Sequence, residues 1–255
     1  RHEATILNAR IRKSVIQNNM KVALIGEEVD LTYNYKFLGS SPWILKQIAE
    51  DQHPFCKTLS QYKNPIMILG ANMYARSDWE ASLYYAKKAA MKFGFVKENW
   101  NGYNLLQTDA SRVGGLDIGL VPPKGGMATN QILEQADVIF LLGADNIDLS
   151  RIRKGAFVVY IGHHGDKAAY RADVILPSPA FTEKSGTYVN LEGRVQRTQK
   201  AVSPIGEARL EWKIITDLAK ELGHKLTNNT AAKLRKKMES VNPVFKTLDE
   251  VRSER

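Results

Sequence analysis

Ala172-Asp-Val-Ile-Leu-Pro-Ser-Pro-Ala-Phe-Thr-Glu-Lys-Ser-Gly-Thr-Tyr-Val-Asn-Leu-Glu-Gly-Arg-Val-Gln196 is the stretch whose reading decides the fold. Its apolar run, Val174 to Leu176, is of the kind that forms a buried strand. Pro177 and Pro179 stop that strand, because proline offers no N–H to a ladder. A polar loop follows, carrying Thr182, Glu183, Lys184, Ser185, Thr187, Asn190, Glu192, Arg194 and Gln196. Gly186 and Gly193 loosen its backbone. In open α/β sheets ligands gather outside the carboxyl ends of the strands, so a loop of this composition stands where a site belongs.

Working outward, the same pattern repeats along the chain. Apolar runs at residues 21–26, 65–70, 137–143, 156–162 and 173–176 read as strands, with a weaker candidate at 103–106. They are continuous rather than alternating, as in strands covered on both faces of a parallel sheet. The run from Val138 to Leu142 is the strongest, which predicts a central position for it. Helical patterns lie between the strands. Ser41-Pro42 starts one. Ser77 to Glu80 reads as a capping box opening a helix with Trp79, Leu83, Ala86, Ala90 and Phe93 on one face, closed by Gly94. Residues 129–136 form a short crossover helix. Beyond the polar loop, residues 207–222 and 230–241 form two more helices. In the second, Ala231, Leu234, Met238 and Val241 face inward, and Lys233, Lys236 and Lys237 outward. The alternation predicts an α/β fold, a doubly wound and mostly parallel sheet with helices on both faces. Residues 1–20 form a lead-in, 21–180 the sheet domain, and 181–255 a C-terminal loop and helical extension.

Composition bounds the chemistry. The 255 residues suffice for one substantial core. No apolar run approaches the ~18 residues that span a bilayer. The chain opens on Arg1 rather than Met, so it reads as a processed chain, a split-gene product or a fragment. A single cysteine, Cys56, excludes an internal disulfide. It also excludes a cluster ligated by cysteine alone, which takes about four thiolates. Cys56 therefore reads as an ordinary buried thiol. Net charge is +9, concentrated late: from Lys184 onward, 15 Lys and Arg stand against 9 Asp and Glu. No nucleic-acid motif accompanies that excess, which leaves a solvated helix face or a contact with a partner protein.

The opening stretch also carries a resemblance. Glu183 to Gln196 is similar to the Glu-x-x-Gly-Thr-x-x-Asn-x-Glu-Gly/Arg-Arg-x-Gln loop of the molybdopterin-oxidoreductase superfamily, whose active enzymes lay that loop against a pterin cofactor. Four further stretches, residues 1–14, 29–35, 140–145 and 160–166, resemble the family of large iron–sulfur subunits of respiratory NADH:ubiquinone oxidoreductase, the mitochondrial 75 kDa type and its bacterial counterparts. The likeness runs from Arg1 to about Val241. It implies the molybdopterin-oxidoreductase-like C-terminal portion of that subunit. It further implies iron–sulfur clusters in a missing N-terminal part or a separate chain, and other peripheral-arm subunits as partners. Nucleic acid and direct membrane insertion are not implied. The implied location is the matrix side of the mitochondrial inner membrane, or the cytoplasmic side in a bacterium. The implied enzyme is the proton-translocating oxidoreductase as a whole, with no independent catalytic site and no cofactor in this chain. The alternative is a fragment of a molybdopterin-dependent oxidoreductase, such as a formate dehydrogenase, that still binds its cofactor.

Each candidate site has a plain reading beside the functional one. Asp145 and Asn146 follow a buried strand where active superfamily members hold the cofactor's nucleotide part; Asx residues also simply favour turns. Glu183, Thr187, Asn190, Arg194 and Gln196 belong to the pterin-type loop. Where the cofactor is lost, they satisfy each other and the backbone, since buried polar groups need partners. His163 and His164 are adjacent and project in different directions, which favours a turn over a metal site. Gly26, Gly70, Gly143 and Gly162 end strands and serve turns or a ligand crevice, but none completes a nucleotide-binding glycine motif. Gly114-Gly115 and residues 122–126 read as a connection across the sheet top. There is no G-x-S-x-G nucleophile sequence. No catalytic or metal-ligating residue is assigned.

Overall fold

In the computed structural model, which describes residues 2–250, the chain divides after Thr108 into two compact units. Arg1, where the lead-in and the resemblance begin, lies outside the described residues. So do the last five residues of the C-terminal extension.

The first unit contains α1 (Thr5–Asn18), β1 (Ala23–Ile25), β2 (Lys36–Gly39), α2 (Trp43–Ala49), α3 (Cys56–Leu59), β3 (Met67–Leu69), α4 (Trp79–Lys92), β4 (Val96–Lys97), β5 (Trp100–Asn101) and β6 (Tyr103–Leu105). β1 pairs with β2 and β3 with β6, both in parallel; β4 and β5 make a short antiparallel turn. The core packs Ile44, Ile48, Ala49, Cys56, Leu59, Ala89, Ala90 and Phe95 between α2, α3 and α4. α4 packs closely because small residues line the face it buries, Ser82, Ala86, Ala89 and Ala90. The expected capping box does not form at its start. Asp78 takes the cap position, but its carboxylate is claimed by Arg76 in a two-pronged pair at 2.7 and 2.9 Å. The two-pronged Arg76 fork occupies both carboxylate oxygens, leaving neither turned to the helix amides. Gly94 ends the helix at φ +70° as anticipated. α1 buries no side chain; Asn8 ties it down, donating to the Leu31 carbonyl and accepting from the Tyr33 hydroxyl.

The second unit contains α5 (Arg112–Asp117), α6 (Thr129–Gln135), β7 (Val138–Leu142), β8 (Phe157–Gly162), α7 (Lys167–Arg171), β9 (Val174–Pro177), β10 (Thr187–Val189), β11 (Val195–Arg197), α8 (Glu211–Glu221) and α9 (Ala231–Val241). β7, β8 and β9 form a parallel sheet in that order, with Phe140 opposite Val159 and Tyr160 opposite Ile175. β8, not β7, is therefore the central strand, which corrects the expectation from the apolar runs. β7 is an edge whose residues alternate: Ile139 and Leu141 are buried, while Val138, Phe140 and Leu142 are 54%, 50% and 52% exposed. One face of the sheet packs Leu133, Ile152, Ala156 and Ala168 against Ile139, Leu141, Val158 and Tyr160. On the other, Ile214 of α8 covers Val159 and Ile161 of β8.

The architecture is thus α/β, with small parallel sheets and helices. Gly114 and Gly115 lie inside α5 rather than in a loop. A Cβ on Gly114 would sit 3.4 Å from Val189 Cγ2, so the glycine permits close packing of α5 on β10. The helix expected at 207–222 is α8, and Gly223 follows it at φ +79°. Thr230 caps α9, its Oγ1 accepting from the Lys233 amide at 3.2 Å. Val241 proves exposed rather than inward, while Lys233, Lys236 and Lys237 face solvent.

Candidate functional site

The ends of β7, β8 and β9 bring several polar residues together, as the strand–loop pattern predicts. Tyr160 sits near the end of β8 and is 1% exposed. Its hydroxyl donates to Asp145 Oδ2 at 2.9 Å, in the loop after β7. Burial, then the Asp145 hydrogen bond and charge, with Asp166 beyond, push the phenol up to about 12. The folded state therefore holds Tyr160 neutral. The ring folds back over the strand end: a Cβ on Gly162 would lie 2.2 Å from it, so only glycine fits there. Ser178 is buried beside this point, and its amide donates to the Gly162 carbonyl at 2.9 Å.

Asp145 Oδ1 is buried and has no hydrogen-bond partner. Asn146 next to it is exposed. Asp148 turns inward on its own loop, Oδ1 accepting from the Ser150 amide at 3.2 Å and hydroxyl at 2.5 Å. An open depression of about 520 Å³ lies alongside, lined by Ile147, Asp148, Leu149, Ser150, Lys167 and Tyr170. His163 and His164 are exposed and stack edge to face on each other, ring centres 4.5 Å apart. Among the described residues no group of three His, Cys, Asp or Glu side chains is placed to hold a metal ion.

The pterin-type loop is a β-hairpin, where the sequence pattern reads as irregular loop. β10 and β11 pair antiparallel, Val189 opposite Val195. Those two valines are buried with Phe245 against Val113 and Met238. Asn190 makes the turn: its Oδ1 accepts from the Glu192 and Arg194 amides at 3.0 and 2.9 Å. Gly193 supplies the positive φ that such a turn needs, at +77°. Glu183, upstream, is buried and accepts from the Ala180 amide at 3.0 Å. Lys184 pairs with Glu211 at the start of α8. Arg194 and Gln196 are exposed, on the face of the hairpin opposite Val189 and Val195. Thr187 is half-buried at the hairpin base.

The sequence-predicted residues thus split into two groups. Asp145 belongs to the strand ends, held by Tyr160. Glu183 and Asn190 belong to the loop, each satisfying backbone amides. Asp145 accepts from Tyr160, while Asn190, Glu192 and Arg194 bond among themselves. Sequence reasoning misses Tyr160, Ser178 and the Lys184–Glu211 pair. A hydroxyl-bearing tyrosine in the otherwise apolar run of β8 is the available signal for the first.

A phosphate-bearing pterin needs N–H and cationic donors. The strand ends present the carboxylates of Asp145, Asp148 and Asp166, which only accept, and beside them Lys167 in the wall of the depression and the exposed His163 and His164. The one buried, unpaired atom among them, Asp145 Oδ1, is itself an acceptor. Cys56, the single thiol, is buried in the first unit, 3.6 Å from the Ile48 carbonyl. Burial first, then Asp51, raises its pKa and disfavours the thiolate a metal would need.

Comparison with known proteins adds the lineage. Residues 1–221 match the family model for molybdopterin oxidoreductases. The chain is 41% identical, over 98% of its length, to the mitochondrial NADH dehydrogenase [ubiquinone] iron–sulfur protein 1 of Solanum tuberosum. It is 41% identical, over 98% of its length, to an NADH-quinone oxidoreductase subunit of the bacterium Rickettsia bellii. It is 43% identical, over 95% of its length, to the NADH-ubiquinone oxidoreductase 75 kDa subunit of Reclinomonas americana. It covers 33%, 36% and 35% of those proteins respectively, so it spans about a third of the length of the relatives it matches.

Proposed function

The chain belongs to the molybdopterin oxidoreductase family, and on that footing we propose that it is the structural, cofactor-free portion of the large iron–sulfur subunit of a respiratory NADH:ubiquinone oxidoreductase. The observation that carries this reading is identity of about two residues in five, sustained through almost the whole chain, with that subunit's mitochondrial and bacterial forms. The chain braces the arm in which NADH is oxidised. Electrons travel through clusters held by cysteines elsewhere, because Cys56 is alone and its thiol is buried. Asp145, Asn146, Glu183, Thr187, Asn190, Arg194 and Gln196 are the remains of a pterin site. Glu183 and Asn190 now serve the backbone, and Asp145 serves Tyr160. The four parallel pairings, β1–β2, β3–β6, β7–β8 and β8–β9, are of the kind from which doubly wound sheets are built. Among the described residues no helix is long and apolar enough to cross a membrane, which supports a peripheral position. That position is on the matrix side of the mitochondrial inner membrane, or the cytoplasmic side of a bacterial one. Its partners are the other peripheral-arm subunits.

Affinity purification of the tagged chain from its own membranes tests this. Flavin- and cluster-bearing subunits and NADH-oxidising activity should come with it, and pterin extraction and molybdenum analysis should be blank. Stoichiometric pterin that disappears in Arg194→Ala would replace this reading with a molybdopterin-dependent oxidoreductase.

A further inference from the structure

The β10–β11 hairpin buries its apolar face against the end of the chain. Val189 and Val195, 1% and 0% exposed, pack on Phe245, with Met238 of α9, Val244, Leu248 and Val113 of α5 in the same cluster. Two strands of three residues are too short to hold a hairpin by themselves, so this cluster supports it. Hydrogen bonds add to the packing. The Asn190 amide donates to the Arg194 carbonyl and the Thr198 amide to the Gly186 carbonyl, which turns residues 194 and 198, on either side of β11, toward β10. The backbone groups of Val195 and Arg197 therefore face the opposite edge. Asp249 occupies that edge. Its amide donates to the Val195 carbonyl at 3.0 Å, and its Oδ1 accepts from the Arg197 amide at 3.1 Å. It does so at φ +59°, a left-handed conformation that Asp tolerates better than most residues. Asn242 fixes the start of the segment: its Nδ2 donates to the Asp117 carbonyl of α5 at 3.1 Å, and its Oδ1 accepts from the Val244 amide at 3.0 Å. All of these residues belong to the second compact unit.

The match to the molybdopterin oxidoreductase family ends at residue 221, ahead of Met238, Phe245 and Asp249. The likeness to the Solanum tuberosum subunit takes in 98% of the chain and so runs on past that point. We propose that residues 231–249 are an intramolecular clasp that holds the pterin-type hairpin shut and, on the function proposed above, replaces the pterin as its support. Opening the clasp frees residues 187–197 as one unit and leaves β7, β8 and β9 folded, because the hairpin's apolar cluster is separate from those of the sheet.

Hydrogen–deuterium exchange of the full chain tests this in wild type, Phe245→Ala, Asp249→Gly and Asp249→Asn. Phe245→Ala is expected to speed exchange in peptides spanning 187–197 at least about tenfold, while peptides spanning 157–162 stay within about twofold of wild type. Asp249→Gly keeps the left-handed backbone and removes the acceptor, so the peptide containing Arg197 should exchange faster than in wild type. Asp249→Asn keeps a side-chain oxygen and tolerates the same φ, so it should restore the wild-type rate. Unchanged hairpin exchange in Phe245→Ala overturns the clasp, as does acceleration of hairpin and sheet together in Asp249→Gly. Should Phe245→Ala unfold the whole unit, the two Asp249 variants decide, and equal rates in Asp249→Gly and wild type overturn the clasp. Pterin extracted from the wild-type protein would sink the function proposed above and the replacement with it, whereas the exchange rates judge the clasp separately.

Discussion

The Tyr160 hydroxyl reaches across from β8 to Asp145 at 2.9 Å and occupies one oxygen of the carboxylate that the family likeness singles out for a ligand. The other oxygen is buried without a partner.

Removing the hydroxyl should be costly. Tyr160→Phe leaves Asp145 with two unpaired oxygens and is expected to lose ~1–3 kcal/mol in urea unfolding, the cost of an unsatisfied buried group. Tyr160 also sets a pH dependence. Its ordinary value of 10 is raised to about 12, so between those values the unfolded chain has lost the proton and the folded chain keeps it. Stability from this group is complete below pH 10 and drains away as pH rises through 12, on the order of 2–3 kcal/mol in all. Tyr160→Phe should lack that slope. Parallel curves for the two proteins from pH 9 to 11.5 would contradict it.

The reassignment of the central strand makes an opposed pair of expectations. Val158 on β8 is fully buried, and Val158→Asp should abolish folding, because it strands a charge in the core. Phe140 points outward from β7, so Phe140→Asp should change the chain's own stability by no more than ~0.5 kcal/mol. Circular dichroism melts of both variants check this. For Phe140 the continuous apolar run alone points the other way.

The hairpin divides similarly. Glu183→Ala removes a buried acceptor and leaves the Ala180 amide unpaired, for an expected loss of ~1–2 kcal/mol. The Arg194 side chain lies on the exposed face with no hydrogen-bond partner among the described residues, so Arg194→Ala should fall within ~0.5 kcal/mol of wild type. Sequence alone suggests comparable losses for both. Asn190→Ala should resemble Glu183→Ala, because two amides lose their acceptor. Equal melting temperatures for all three variants would show that the hairpin tolerates loss of its turn bonds.

Cys56 should be unreactive in the native protein. Its thiol is buried and its pKa raised, so the nucleophilic thiolate is scarce near neutral pH. Iodoacetamide labelling followed by intact mass should be at least ~10-fold slower than for free cysteine, and should become fast in denaturant. Under the proposed function, Cys56→Ser should leave the iron–sulfur resonances of the assembled enzyme unchanged.

Much of the local structure was legible because it follows from short-range rules. Apolar runs ending in glycine became β3, β7 and β8, the run stopped by proline became β9, and even the weak run at 103–106 became β6. Gly94 and Gly223 closed helices because only a residue at ease with positive φ turns the chain there. The capping box at Ser77 failed for a reason also within four residues: Arg76 holds both oxygens of the Asp78 carboxylate. The hairpin of β10 and β11 escapes a sequence reading because only Val189 and Val195 signal burial, while the intervening polar residues read as loop.

By itself, then, the sequence determined which segments are strands and helices, and through the Glu183–Gln196 signature it determined the family. Those properties reside in consecutive residues. Tertiary structure alone decided which strand is central. Val-Ile-Phe-Leu-Leu of β7 and Phe-Val-Val-Tyr-Ile of β8 are similarly apolar, and centrality depends on which one finds neighbours along both edges. Tertiary structure also decided what the polar residues do. Asp145 is an Asx residue in a turn until Tyr160, 15 positions away, is brought to 2.9 Å. Lys184 is a loop cation until α8 delivers Glu211. Hydrogen bonds and ion pairs act over a few ångströms, and which groups come that close is settled only when the sheet and helices have packed.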